Sequence, residues 1–242
     1  MGLVYGKNPV LEAINSGTTI NKIYAQTSNK DIDKIIKEAL KRKIIVVNTD
    51  KQKLDKMIDG KNSQGIIASI TEFKYSQISE IIEYAESKNE KPFVVILDKI
   101  EDPHNLGAII RSCECMGVHG IIIQKRNACQ ITDTVEKVAA GACSYVKVAR
   151  VTNITESIKK LKEYGLWIYG LDMNGESEVY NTKLDGAIGL VIGNEGDGIS
   201  RLVKENCDAL MNIPMVGKIN SLNASVSAAI SIYEVVRQKN VK

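Results

Sequence analysis

The sequence is poor in the side chains that build metal and redox centres. It holds two histidines, His104 and His119, and five cysteines, Cys113, Cys115, Cys129, Cys143 and Cys207. No two cysteines form a C-x-x-C pair, so zinc-type ligand spacing is missing and no metal is expected. An odd set of unpaired thiols reads as reduced, mostly buried cysteine in a cytoplasmic protein. No apolar run reaches about 18 residues, so no membrane-spanning helix is expected. The opening "MGLVYGKNPV" has neither an apolar h-region nor a cleavage pattern, so no secretory signal is expected. Gly2 follows Met1, but Gly6 stands where myristoylation needs Ser or Thr. Aromatic residues make up only 5%, which argues against a base-stacking platform.

What is present suits a soluble α/β protein. The 242 residues allow one or two domains, and 44% hydrophobic with 25% charged content is ordinary for a globular chain. The net charge of +3 is a weak footprint for a nucleic-acid binder, yet the excess is local. Lys30 to Lys61 holds ten basic side chains against six acidic ones. That segment reads either as a solvated helix face laced with i,i+4 pairs or as a patch that tracks phosphates.

The first part of the chain reads as a small α/β unit. "NPVLEAINSG" is helical and closes at Gly17, "INKIYAQ" is a strand, and "KDIDKIIKEALKRK" is an amphipathic helix with Ile32, Ile35, Ile36, Ala39 and Leu40 on one stripe. "IIVVNT" reads as a short buried strand, "LDKMIDG" as a helical turn and "QGIIASI" as a strand. A charged segment with Ile78, Ile81, Ile82 and Ala85 on one face reads as a linking helix that ends before Pro92. This gives a domain over 1–73, a linker helix over 74–91 and a second domain over 92–242.

The second domain alternates apolar strands ("PFVVILDKI", "GVHGIIIQ", "YVKVARV", "LWIYGLDM", "AIGLVIG", "ALMNIPM") with helices ("NLGAIIRSCECMG", "TDTVEKVAAGA", "NITESIKKLKEYG", "ISRLVKENC", "LNASVSAAISIYEVVRQK"). Such alternation predicts a parallel sheet, and ligands of such sheets sit beyond the carboxyl ends of the strands. Asn153, with Glu156 three residues on, predicts a capped helix start, and Gly165 its end. Cys113 and Cys115 fall on a helix beside apolar residues and read as core, not as nucleophiles.

Three polar loops follow strands in this domain. "LDKIEDPHNLGAIIRS" follows a strand over Phe93 to Leu97, "VIGNEGDGIS" one ending at Ile192, and "IPMVGKINSLNASVSAAI" one ending at Ile213. The second loop has three glycines but is not a nucleotide motif. Gly193, Gly196 and Gly198 run G-x-x-G-x-G, not G-x-G-x-x-G. Read as a P-loop it carries Ile199 where the lysine belongs. The glycines instead suit a tight turn that approaches a ligand closely.

These three loops resemble, in order and spacing, the motifs of the SpoU (TrmH-type) RNA ribose 2′-O-methyltransferases of the SPOUT superfamily. The resemblance covers Pro92 to Gln238, while "VYGKNPVLEAI" and "NSQGIIAS" are similar to the substrate-binding domain of the ribosomal RNA members. It implies a parallel α/β sheet with a C-terminal trefoil knot, preceded by a small α/β RNA-binding domain. It also implies a homodimer formed through the last helix; separately, the missing long apolar run leaves no membrane partner expected. The activity implied is methyl transfer from S-adenosylmethionine to a ribose 2′-hydroxyl. Within the family, "KVAAGACSYVKVARVTNI" favours members that modify a guanosine of 23S ribosomal RNA. The alternatives are a tRNA 2′-O-methyltransferase of the same family and a non-catalytic rRNA-binding assembly protein.

By the same resemblance the catalytic set is Asn105, Arg111, Glu195, Ser221 and Asn223, and the cofactor contacts are Gly193, Ile213 and Leu222. Apolar walls at Ile213, Met215 and Leu222 suit an adenine, and Gly193 lets the main chain come close. The reaction is a direct displacement that needs alignment and removal of the hydroxyl proton. An arginine titrates above about 12, so using one as a base near neutrality costs roughly 7 kcal/mol. Arg111 therefore reads first as a clamp on RNA phosphate or developing alkoxide, with the base role left open. Read singly, Asn105 and Asn223 are also good helix caps, and Arg111 could pair with Glu114 on its own helix.

Overall fold

The computed structural model describes residues 2–15, 18, 20–27, 30–70, 73–218 and 221–240. The chain forms two compact units, Met1–Lys74 with Ile131–Asp133, and Tyr75–Gln130 with Thr134–Lys242.

The first unit is a four-stranded sheet with helices on both faces. Its strands are β1 (Gly2–Tyr5), β2 (Ile20–Ala25), β3 (Val46–Asn48) and β4 (Ile66–Ile70), in the order β1-β4-β2-β3. β4 runs antiparallel to both β1 and β2, and β3 runs parallel to β2. Alternation along β4 builds two cores, since successive side chains of a strand face opposite ways. Ile66, Ala68 and Ile70 meet Val10 and Ile14 of α1 (Lys7–Asn15) and Ile32, Ile35 and Ala39 of α2 (Lys30–Lys41). Ile67, on the other face, meets Leu54 of α3 (Lys51–Met57) and Ile58.

Two sequence expectations change here. The strand in "IIVVNT" is an edge strand with Val47 exposed, not a buried one, because among the described residues only β2 pairs with it. The first helix ends at Asn15; Gly17, its expected stop, lies outside the described residues. In the basic segment, Glu38 takes Lys41 at 3.4 Å and Arg42 at 3.3 Å, so α2 carries the laced face. Around α3 the acids are engaged otherwise. Asp50 caps the helix through Lys53 N at 2.9 Å, and Asp55 accepts from Ser63 N at 3.1 Å and Ser63 Oγ at 2.6 Å.

The second unit is a seven-stranded, all-parallel sheet. Its strands are β5 (Phe93–Asp98), β6 (Gly120–Gln124), β7 (Lys147–Val151), β8 (Trp167–Leu171), β9 (Ser177–Glu178), β10 (Ile188–Gly193) and β11 (Ala209–Asn212). The order is β7-β6-β5-β10-β8-β11-β9. On one face, Val94, Ile96, Ile122, Ile168 and Val191 pack with helices α4 (Ile78–Ser87), α7 (Ile154–Glu163) and α8 (Arg201–Lys204). Elsewhere α5 (Pro103–Cys115) lies against α9 (Ala224–Asn240), and α9 against β10. The remaining helix, α6, is Asp133–Val138. Among the described residues no helix is long and apolar enough to cross a membrane.

α4 is no free linker. Ile81, Ile82 and Ala85 are buried, and a Cβ on Gly120 would lie 2.6 Å from Ile81, so helix and sheet are in direct contact. Asn153 caps α7 by accepting from Thr155 N at 2.9 Å, and Gly165 follows the helix at φ +79°. Glu156 turns to Lys159 at 2.9 Å instead of closing a capping box. α6 stops early because Ala140 and Gly141 take φ of 51° and 88°. α8 is a single turn. Cys113 is core as expected, but Cys115 is exposed: two residues on a helix are about 200° apart, so one face cannot bury both.

Candidate active site

The strand order changes direction between β5 and β10, and the loops after β5, β8, β10 and β11 gather at the carboxyl edge there. β5 ends at Asp98, which lies opposite Gly193 of β10. Asp98 is buried, and its Oδ2 accepts from Ser200 N at 2.7 Å. Its Oδ1 has no hydrogen-bond partner among the described residues. The bond to Ser200 fixes the far end of the glycine loop to the end of β5.

The loop itself is a tight reversal. Asn194 Oδ1 accepts from Gly196 N at 2.9 Å and Asp197 N at 2.7 Å, and Asn194 bridges to Gly198. A Cβ on Gly193 would sit 2.1 Å from the carbonyl carbon of Gly198, so only glycine lets the two backbone segments pass. The reversal presents Glu195 outward.

Glu195 meets residues from two other loops. Asn105 lies buried in the first turn of α5, and its Nδ2 donates to Glu195 Oε1. Asn223 Nδ2 donates to Asn105 Oδ1 at 2.9 Å and to Glu195 Oε1 at 3.2 Å. Asn223 also caps α9: its Oδ1 accepts from Ser225 N at 3.0 Å and Ser225 Oγ at 2.6 Å. The cap of α5 is Asp102, which accepts from His104 N at 2.9 Å, so the Asn105 side chain is free for the cluster. One amide thus caps the start of a helix and ties two loops together, while the other has no capping duty.

Beside this trio opens a cleft of about 610 Å³ lined by Gly193, Ile213, Ser221 and Leu222. Ile192, Pro214 and Met215 add apolar wall, and Asp172 and Lys204 form a charged corner. All three expected cofactor contacts therefore share one cavity, next to the hydrogen-bonded trio. Its donor set fits a nucleoside with a polar tail: apolar walls for a base, and a strand end where glycine exposes the main chain.

Arg111 does not join this group. It is exposed, two turns along α5 from Asn105, makes no ion pair with Glu114, and does not line the cleft. Six residues of helix advance about 9 Å and turn about 240°, so the two side chains leave α5 in different directions.

The thiols stay away from the chemistry. Burial pushes Cys113 far up, and raises Cys129 to about 11, Cys143 to about 11 and Cys207 to about 12. None of these four is a thiolate near neutral pH. No sequence motif marks Asp98, Asp172 or Lys204 as site residues. The strand-end rule could have found the two acids, since Asp98 ends β5 and Asp172 directly follows β8 at the carboxyl edge.

Comparison with known proteins adds family relationships to this geometry. Residues 92–233 match the SpoU rRNA Methylase family, and residues 3–76 match a domain described as RNA 2′-O ribose methyltransferase substrate binding. The chain is 41% identical over 239 residues to YacO of Bacillus subtilis (strain 168), assigned to the TrmH family of tRNA/rRNA methyltransferases, covering 98% of this chain and 96% of that one. In fold it is similar to the SpoU methyltransferase AviRb from Streptomyces viridochromogenes, solved in complex with AdoMet, with a TM-score of 0.64 and 23% identity over 98% of this chain and 90% of that one. It is also similar to the TrmH/SpoU tRNA modifying enzyme of A. aeolicus, with a TM-score of 0.57 and 29% identity over 66% of this chain and 83% of that one.

Proposed function

The chain belongs to the SpoU rRNA methylase family of RNA methyltransferases, and from that premise we propose that it methylates a ribose 2′-hydroxyl, with a guanosine of 23S ribosomal RNA as its target. The observation that carries this reading is the Asn105–Glu195–Asn223 cluster at the edge of the cleft that holds Gly193, Ile213 and Leu222.

S-adenosylmethionine bound in that cleft would supply an electrophilic methyl on a sulfonium. The protein's share of the chemistry is alignment and proton handling. Gly193, Ile213 and Leu222 hold the nucleoside part. Glu195, fixed by two amide donors, orients the ribose or a cation brought to it. Ser221, on the cleft wall, hydrogen-bonds sugar or phosphate. Arg111 has no carboxylate partner among the described residues, which suits a clamp on RNA phosphate more than a base buried in a polar network. In such a displacement the O–CH₃ bond would form as the S–CH₃ bond breaks, leaving a neutral thioether, and the hydroxyl proton would pass to solvent.

Residues 1–73 serve as the RNA-binding domain in this reading and 92–242 as the methyltransferase. Residues 1–74 carry thirteen basic against eight acidic side chains, while 75–242 carry nineteen against twenty-one, so the positive excess lies where the substrate-binding match falls. The ribosomal target is favoured over tRNA because the tRNA-modifying relative spans only 66% of this chain. The C-terminal segment forms a trefoil knot by family likeness. α9 leaves Val226, Ile230 and Tyr233 exposed along one stripe, which supports a homodimer formed through that helix.

The test is direct. Purified protein, methyl-labelled S-adenosylmethionine and ribosomal RNA should give labelled RNA. Cofactor binding without transfer to any RNA would favour the assembly-protein alternative, and transfer to tRNA alone would favour the tRNA one.

A further inference from the structure

The charged corner of the cleft has no place in the reading above. Asp172 directly follows β8, with its side chain 6% exposed, and its Oδ2 pairs with Lys204 Nζ of α8. Asp172 Oδ1 accepts from Asn174 N at 3.0 Å, which pins the carboxylate in place. Burial alone would raise Asp172, but the Lys204 ammonium and the Asn174 N–H outweigh it and hold the carboxyl below its usual range. Lys204 keeps 31% of its side chain exposed and is the one cation among the described residues that line the cleft. The other charged lining residues besides Asp172, Glu195 and Asp197, are acidic.

We propose that the Asp172–Lys204 pair is the subsite for the zwitterionic amino-acid end of the methyl donor, Lys204 taking its carboxylate and Asp172 its ammonium. The inference rests on the cofactor reading given above and assigns residues to a part of the ligand that the apolar walls cannot serve. An amino-acid head brings one negative and one positive group a few ångströms apart. A preformed ion pair on the wall offers the matching charges in fixed positions, so little is spent on ordering them. Ile213 and Leu222 take the base, and the charged corner takes the opposite end.

The test compares two thioethers that share adenine and ribose. S-adenosylhomocysteine carries the amino-acid head, and 5′-methylthioadenosine lacks it. Calorimetry on the full-length protein should show the first binding more tightly. Lys204→Met should weaken S-adenosylhomocysteine about 10- to 100-fold, the range for a charge-assisted hydrogen bond, and leave 5′-methylthioadenosine within about twofold. Lys204→Arg should restore most of the preference. Because Lys204→Met leaves Asp172 buried without its cation, Asp172→Asn/Lys204→Met provides a second variant, with the same expected loss of preference. Equal weakening of both ligands, or no change in either, would overturn the subsite. Failure of the unaltered protein to bind either compound would overturn the cofactor reading itself, and the subsite with it.

Discussion

Asn223 Nδ2 donates to Asn105 Oδ1 across 2.9 Å, joining the start of α9 to the first turn of α5 over 118 residues of chain. Both amides also meet Glu195, so three loops that follow three different strands share one cluster. Asn223 does this while capping α9, which makes its two roles separable by substitution.

Asn223→Asp keeps the oxygen that caps α9 but replaces the bridging amide with an acceptor facing Glu195. Asn223→Ala loses both. The expected outcome is that Asn223→Ala lowers stability by about 1 kcal/mol, the typical value of a lost cap, while Asn223→Asp keeps the cap and loses stability only through the carboxylate it sets beside Glu195. Both should lose methyl transfer. Denaturant unfolding alongside a transfer assay checks it. Wild-type turnover by Asn223→Asp would assign the residue to capping alone.

Arg111 is exposed and makes no ion pair among the described residues, so Arg111→Ala should shift unfolding by no more than about 0.5 kcal/mol. Turnover should fall by about 10²- to 10³-fold if the guanidinium steadies developing charge. Arg111→Lys should recover part of it. Undiminished turnover in Arg111→Ala would remove the residue from the mechanism.

Lys51, Lys53 and Lys56 lie at the surface of α3, where the nearby acids are engaged in capping and in bonds to Ser63. Changing all three to Gln should weaken RNA binding and flatten its salt dependence by about one unit of slope for each phosphate no longer neutralised. S-adenosylhomocysteine affinity, measured in parallel, should not move. An unchanged salt slope would locate the RNA-binding surface elsewhere.

His119 sets a pH dependence. It is buried, its Nδ1 accepts from Phe93 N at 3.0 Å, and its Nε2 faces Glu90 at 3.0 Å. Burial lowers its pKa, and Glu90 opposes that only in part. The folded protein therefore favours the neutral ring. The stability this confers is present above the unfolded value of about 6.5 and is lost as pH falls from there toward the lower folded value. Melting temperatures between pH 7 and 5 should drop more steeply for the native protein than for His119→Gln. Parallel slopes would show that His119 does not titrate with unfolding.

Much of this was legible in the sequence because strand ends and loop chemistry coincide. Apolar runs identified β5, β10 and β11, and the rule that ligands gather at carboxyl ends brought the three polar loops to one edge, while the family resemblance singled out Asn105, Glu195 and Asn223 within them. What stayed hidden depends on direction and neighbours. Arg111 leaves α5 on a different side from Asn105, and Cys115 on a different side from Cys113, because helical rotation separates residues that are close in sequence. The exposure of Val47 follows from an edge position that composition does not mark. Asp172 and Lys204 sit in no recognised motif, and their pairing emerges only when β8 and α8 are brought together.

The most direct test of the central claim is where the methyl lands. A ribose 2′-O-methyl group removes the nucleophile that cleaves the adjacent phosphodiester in alkali, so each modified position resists hydrolysis. The account expects ribosomal RNA treated with enzyme and S-adenosylmethionine to gain one protected position, at a guanosine, which disappears when Asn223→Asp replaces the native protein. Methyl incorporation with an unprotected alkaline ladder would place the methyl on a base and contradict the account.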